Sequence, residues 1–121
     1  MLKELRDTEK FEELAAKAMA EIANRGFDEL KADVEGFEAP PQITQKGDGE
    51  NIQPEFTAKK DGIKHYFEIV NRKGDTSRII SKWIVLSRLA GMREAKLYLF
   101  VPRGNKMFAE KTINEHEIKA T

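Results

Sequence analysis

The sequence predicts a single α/β domain in which a mixed β-sheet is flanked by helices. Three observations predict it. The chain has 121 residues, the size of one domain. Apolar residues recur at helical spacing in two separate stretches, and a β-hairpin pattern lies between these stretches. We therefore expect residues 1–121 to form one domain.

The N-terminal region is predicted to be a helix, because apolar residues from Phe11 to Ile22 recur at spacings of three and four. Thr8 is placed to cap its start, and Gly26 to end it in a left-handed conformation. Glu21 falls at the margin of the apolar face. It is either an ordinary solvated charge or a candidate site residue.

The region after this helix is less regular. Residues 27–35 show a weak strand pattern. Segment 36–51 is predicted to be a flexible loop, because two prolines and three glycines fall within fourteen of its residues.

The strongest local pattern is a hairpin in the middle of the chain. Strands over 52–60 and 63–70 are joined by Asp61-Gly62, which favours a tight two-residue turn. This turn sets the register, so that paired residue numbers sum to 123 and Glu55 faces Glu68.

The second half continues as helix, strand and helix. Asp75 or Thr76 is expected to begin a helix with a broad apolar stripe, in which Trp83 is interpreted as core. The apolar run 97–101 predicts a buried strand parallel to the second hairpin strand. Residues 106–118 are predicted to form a last helix.

Composition excludes several classes of site. The chain has no cysteine and two histidines, which excludes disulfides, thiolate nucleophiles and histidine-rich metal sites. No apolar run is long enough to span a bilayer, so we expect a cytoplasmic protein without membrane contact. The 21 acidic and 21 basic residues are unevenly placed, and residues 55–106 carry a net charge of +7. This basic half indicates either a polyanionic partner or a chance distribution of surface charge.

The two glutamates form the main candidate site. Like charges directly opposite each other destabilise a sheet unless solvent, a proton or a cation separates them. Paired carboxylate oxygens suit a hard ion such as Mg²⁺ or Mn²⁺. The alternatives are a solvent-exposed pair at a strand end, or a bulge that moves the glutamates to opposite faces.

Pro54-Glu55, the hairpin and Glu68-Ile69-Val70, with a helix before them and a helix and strand after them, resemble the PD-(D/E)xK superfamily. The resemblance covers about residues 8–102. It implies a restriction-endonuclease-like fold and a magnesium-dependent endonuclease acting on nucleic acid. It also implies that Glu55 and Glu68 bind the metal ion and that Glu21 is an accessory catalytic acid.

The superfamily's catalytic lysine stands two residues after the second acid, where this chain has Val70. Some members supply the cation from a neighbouring element, so Lys82 is the first candidate and Lys73 the second. The alternative for Lys82 is an ordinary surface lysine.

Arg72, Lys73 and Arg78 lie near the end of the hairpin, where they are candidates for phosphate contacts. Three functions stay open at this point. The first is metal-dependent hydrolysis of phosphodiesters, and the second is a non-catalytic nucleic-acid- or protein-binding module on the same fold. The third is contact with a protein partner through the acidic N-terminal helix. A homodimer is a further candidate, since small nucleases often dimerise to cut two strands.

Overall fold

The order of helices and strands follows the sequence prediction. A computed structural model describes residues 2–44, 51–70, 76–102 and 104–121, with the backbone alone for residues 2–10. The elements are α1 (Leu2–Asn24), β1 (Asp28–Ala32), β2 (Phe56–Lys60), β3 (Ile63–Ile69), α2 (Thr76–Met92), β4 (Leu97–Phe100) and α3 (Lys106–Glu115). None of these helices is both long enough and apolar enough to cross a membrane.

The strands form one four-stranded mixed sheet in the order β1-β2-β3-β4. β1 pairs with β2 and β2 with β3 in antiparallel fashion, whereas β3 and β4 are parallel. The chain crosses from β3 to β4 through α2, as the apolar run at 97–101 predicts. The protein is thus a small mixed α/β domain.

The hairpin has the register that its turn predicts. Phe56 pairs with Phe67 and Lys60 with Ile63, so the paired numbers sum to 123 and the prediction is confirmed. Asp61 and Gly62 have φ values of 54° and 79°, which is the pair of positive angles required by a two-residue type I′ turn. The turn therefore determines which residues face each other at the far end of the hairpin.

Helix α1 is longer than the sequence analysis predicts. It begins at Leu2, so Thr8 lies within the helix and the prediction that Thr8 caps it is wrong. Residues 2–6 are leucine, lysine, glutamate and arginine, which are good helix formers and extend the helix towards the N-terminus. The predicted end is confirmed, because Gly26 has φ +85° and the Phe27 N–H donates to the Ile22 carbonyl at 3.4 Å.

Strand β2 is shorter than predicted, since it begins at Phe56 rather than at Ile52. Pro54 has no N–H to donate to a ladder, which explains why regular pairing starts after it. Ile52 instead forms an isolated antiparallel bridge with Ile43. Of the predicted flexible loop 36–51, residues 45–50 lie outside the described part of the chain, and the described part includes buried Pro40.

Each face of the sheet packs against helix. On one face, α1 contributes Ala15, Ala18 and Ile22 to a core that contains Phe56 and Phe67. The other face packs against α2 and α3, in a core formed by Tyr66, Val70, Trp83, Leu86, Leu97 and Ala109. Because side chains alternate along β3, Glu68 lies on the second face, between Tyr66 and Val70.

Candidate functional site

Glu55 and Glu68 meet at the end of the hairpin that lies away from the turn. Glu55 directly precedes β2, and Glu68 is the penultimate residue of β3. The Glu55 N–H donates to Glu68 Oε2 at 2.7 Å, and the Ile69 N–H donates to Glu55 Oε1 at 3.1 Å. Each carboxylate therefore accepts a backbone hydrogen bond from the segment that carries the other carboxylate, and the two are held side by side.

The local backbone explains why the carboxylates accept these bonds. The Glu55 carbonyl accepts the Asp33 N–H at 2.9 Å, so the start of β2 is also tied to the chain that follows β1. Buried backbone N–H groups need acceptors, and here side-chain oxygens supply them in place of further β2–β3 ladder bonds. The glutamates thus have a structural role as well as a candidate chemical one.

Lys82 completes the cluster from helix α2. Its Nζ lies 2.8 Å from Glu68 Oε1, and its side chain is 25% exposed, whereas that of Glu68 is 2% exposed. Val70, at the lysine position of the superfamily motif, is fully buried in the core against α2. The cation beside the second acid therefore comes from the helix rather than from the strand.

These side chains line a cleft of about 170 Å³. Besides Glu55, Glu68 and Lys82, its lining is apolar and consists of Phe11, Ile69, Ile79 and Trp83. A water molecule occupies roughly 30 Å³ in the liquid, so the cleft has room for a few waters or one small anionic group.

Burial changes the protonation of the acidic pair. It raises the pKa of the Glu55 carboxyl from 4.5 to about 8, and the neighbouring Glu68 carboxylate adds to the increase. Burial also raises the pKa of Glu68, although the Lys82 ammonium opposes that increase. At neutral pH, Glu55 consequently holds a proton for most of the time.

The donor set fits one mode of divalent metal binding. Among the described residues, no group of three or more histidine, aspartate or glutamate side chains gathers in a way that could enclose a metal ion. Mg²⁺, however, is commonly held by one or two carboxylates, with waters and substrate phosphates as its other ligands. Glu55 and Glu68 supply that many carboxylates, and each carboxylate oxygen has a second lone pair besides the hydrogen bonds described.

The remaining predicted site residues lie elsewhere. Glu21 forms an ion pair with Arg25 at 2.8 Å, and its side chain is 47% exposed. Among the α1 side chains that the structure describes, Phe11 lines the cleft, ten residues before Glu21 and thus about 15 Å away along the helix. The structure therefore does not bring Glu21 together with the acidic pair.

The predicted phosphate contacts are described in part. Arg78 lies in the first turn of α2 and is exposed. Arg72 and Lys73 fall on residues outside the described part of the chain. Arg78 is one turn before Lys82 on the same helix, so it lies on the Lys82 side of α2.

Sequence reasoning missed the apolar walls of the cleft. Phe11 is recognisable as a helix core residue, but periodicity does not show that it borders a carboxylate pair. Trp83 is buried as predicted, with 1% exposure, and it also lines the cleft. Comparison of the chain with protein-family models, curated proteins and solved structures finds no match.

Proposed function

We propose that this protein is a metal-dependent nuclease that hydrolyses phosphodiester bonds in nucleic acid, on a fold that resembles the restriction-endonuclease-like fold. The observation that carries the proposal is the position of Lys82. A buried carboxylate pair alone has several explanations, but here an ammonium group lies 2.8 Å from Glu68 although the motif position is Val70.

Glu55 and Glu68 would hold the ion, Mg²⁺ or Mn²⁺, through oxygens that face each other across the hairpin. When bound, such an ion polarises a phosphoryl oxygen and lowers the pKa of a coordinated water. Glu55 is expected to give up its proton when the ion binds, because metal ligands must be deprotonated.

Lys82 would stabilise the developing charge on the phosphate. Its ammonium has three N–H donors, and Glu68 uses one of them, so two remain for a phosphate oxygen. A water would attack phosphorus and release a proton to solvent, the bond from phosphorus to the leaving oxygen would break, and the leaving oxygen would take up a proton from solvent. The apolar side chains of Phe11, Ile79 and Trp83 beside the cleft would reduce the local polarity and strengthen the interaction between Lys82 and the phosphate.

The test is cleavage of plasmid and single-stranded substrates with Mg²⁺ or Mn²⁺. Glu68→Gln keeps the size of the side chain and an acceptor for the Glu55 N–H, so loss of activity would reflect the lost charge. Glu21→Gln is the matched control, because its ion pair lies outside the cleft. We expect cleavage that chelator and Glu68→Gln abolish and that Glu21→Gln leaves intact. Cleavage that persists in Glu68→Gln would contradict the proposal.

A non-catalytic binding module is the second candidate. The observation that favours it is that three of the four carboxylate oxygens already accept hydrogen bonds from Glu55, Ile69 and Lys82. A cluster satisfied in this way can be purely structural. Salt-dependent nucleic-acid binding without any metal-dependent cleavage would support this candidate over the first.

A further inference from the structure

A second pair of like charges lies on the same sheet face as the acidic pair. The hairpin register pairs Lys59 directly with Lys64, near the turn. Side chains alternate along each strand, so Lys59 shares its face with Glu55, and Lys64 shares its face with Glu68. Like charges directly opposite each other are destabilising, and an anion between them would remove the repulsion.

The two lysines border a cavity. Its volume is about 440 Å³, which lies within the range of small-ligand sites. Lys31 of the neighbouring strand and Thr57, which is 3% exposed, also line it. The cavity lining thus contains three ammonium groups, a hydroxyl and the carboxylates of Glu29 and Glu38, so its ionised side chains carry a net charge of +1.

The charges in this cavity do not balance. Lys59 Nζ lies 3.0 Å from Glu29, and Lys31 Nζ lies 3.8 Å from Glu38; both glutamates are more than half exposed. Within the part of the chain that the structure describes, Lys64 forms no ion pair with a carboxylate. Of the three cavity lysines, Lys64 is therefore the one that has no carboxylate partner among the described residues.

The surroundings of Lys64 are strongly positive. Burial lowers the pKa of its ammonium, and the positive charges of Arg93, Lys31 and Lys59 lower it further. Four cations from β1, β2, β3 and the end of α2 therefore act on one point. A bound anion at this point would be attracted by all four cations, against a weaker repulsion from Glu29 and Glu38, which also line the cavity and are more than half exposed.

We propose that the cavity at Lys31, Lys59 and Lys64 binds a phosphate group of a nucleic-acid strand whose scissile phosphate lies at Glu55 and Glu68. The anion site stands on the geometry of the cavity, whereas its assignment to a substrate strand rests on the proposed function. Lys64 and Glu68 are four residues apart on β3, which is about 13 Å.

The experiment measures binding of a single-stranded oligonucleotide of about twelve residues by fluorescence anisotropy in the presence of chelator, so that no cleavage interferes. Lys64→Gln should weaken binding about tenfold and reduce the slope of log affinity against log salt by about 0.7. Lys64→Arg should retain the slope. Lys106→Gln is the matched control, since it removes the same charge from an exposed site on α3, where the side chain is 81% exposed.

Loss of folding should not explain weaker binding by Lys64→Gln, because this substitution removes the repulsion between Lys64 and Lys59. The melting temperature of the variant is expected to be unchanged or higher. Competition with inorganic phosphate and with a dinucleotide identifies the source of the anion. If inorganic phosphate and the dinucleotide both compete weakly, the result supports a polynucleotide strand as the ligand. If inorganic phosphate binds as tightly as the oligonucleotide, the assignment of the site to a polynucleotide strand is wrong. Equal weakening by Lys64→Gln and Lys106→Gln would overturn the site itself.

The two proposals can fail separately. Lys64-dependent binding by a protein that never cleaves would retain the phosphate site and remove the nuclease function. Metal-dependent cleavage with binding that is insensitive to Lys64→Gln would retain the nuclease function and remove the phosphate site.

Discussion

Replacing Glu55 with glutamine should change how stability depends on pH. Because the pKa of Glu55 is raised from 4.5 to about 8, the folded protein binds one more proton than the unfolded chain between these values. The contribution of the Glu55 carboxyl to the free energy of unfolding is therefore fully present below pH 4.5 and is lost as the pH rises through about 8. Each pH unit in this window costs about 1.4 kcal/mol, or roughly 3–4 kcal/mol over the three units from pH 5 to pH 8, because the slope flattens near each pKa.

The Glu55→Gln side chain cannot ionise, yet its amide oxygen can still accept the Ile69 N–H that Glu55 Oε1 accepts at 3.1 Å. Near pH 5 the wild-type carboxyl is protonated, so the two proteins should have similar stability. Near pH 8 the variant should be more stable by about 3–4 kcal/mol, a large share of the roughly 5–15 kcal/mol typical of a domain.

The measurement is urea unfolding of both proteins at about five pH values from 5 to 9, with linear extrapolation to water. Glu21→Gln is the control and should follow the wild type within about 0.5 kcal/mol, because exposed ion pairs contribute little. Parallel stability profiles for wild type and Glu55→Gln over this range would refute the reasoning. Mg²⁺ should stabilise the wild type at high pH and have a weaker effect on the variant.

Three further predictions follow from single contacts. Lys82→Met leaves Glu68 buried without its cation and should lower the free energy of unfolding by about 3–5 kcal/mol at neutral pH, measured by urea unfolding. Adding Glu68→Gln should restore most of the lost stability. A double variant without any recovery would contradict the ion pair between Lys82 and Glu68. Gly62→Ala should lower the free energy of unfolding by about 1 kcal/mol in the same assay, because Gly62 has φ +79°. No atom lies within 4 Å of the added Cβ, so the loss would come from the backbone conformation and not from a clash. An unchanged urea midpoint would contradict the two-residue turn at Asp61-Gly62. His65 Nδ1 accepts the Lys96 N–H at 2.9 Å, so NMR should show the Nε2–H tautomer. An NMR titration should give a pKa below 6.5 for His65, because burial disfavours the charged imidazolium. A pKa above 6.5 would contradict the buried position of this imidazole.

The hairpin could be predicted because its determinants are local. Asp61-Gly62 specifies the turn, the turn specifies the register, and the register places Glu55 opposite Glu68 without any knowledge of the rest of the chain. The length of α1 was harder to predict, because its first residues have helix propensity without an apolar face.

The position of Glu21 could not be obtained in this way. Its place on α1 follows from periodicity, but the distance from α1 to the cleft depends on how the helix packs across the sheet. The prediction for Lys82 named the correct helix, whereas its 2.8 Å contact with Glu68 depends on the packing of Trp83 and Val70 between α2 and β3.

The energetics of the acidic cluster argue that folding alone does not explain it. Replacing a buried ion pair by apolar residues of similar volume is often neutral or stabilising by about 1–4 kcal/mol. Glu55 adds a carboxyl whose ionisation is opposed by burial and by Glu68. A purely structural end of the hairpin could use glutamines, which would accept the same backbone N–H groups without carrying charge. Two acids and a lysine around a cleft of about 170 Å³ are thus a costly arrangement for packing, and the proposed binding of a metal ion next to a phosphate would account for that cost.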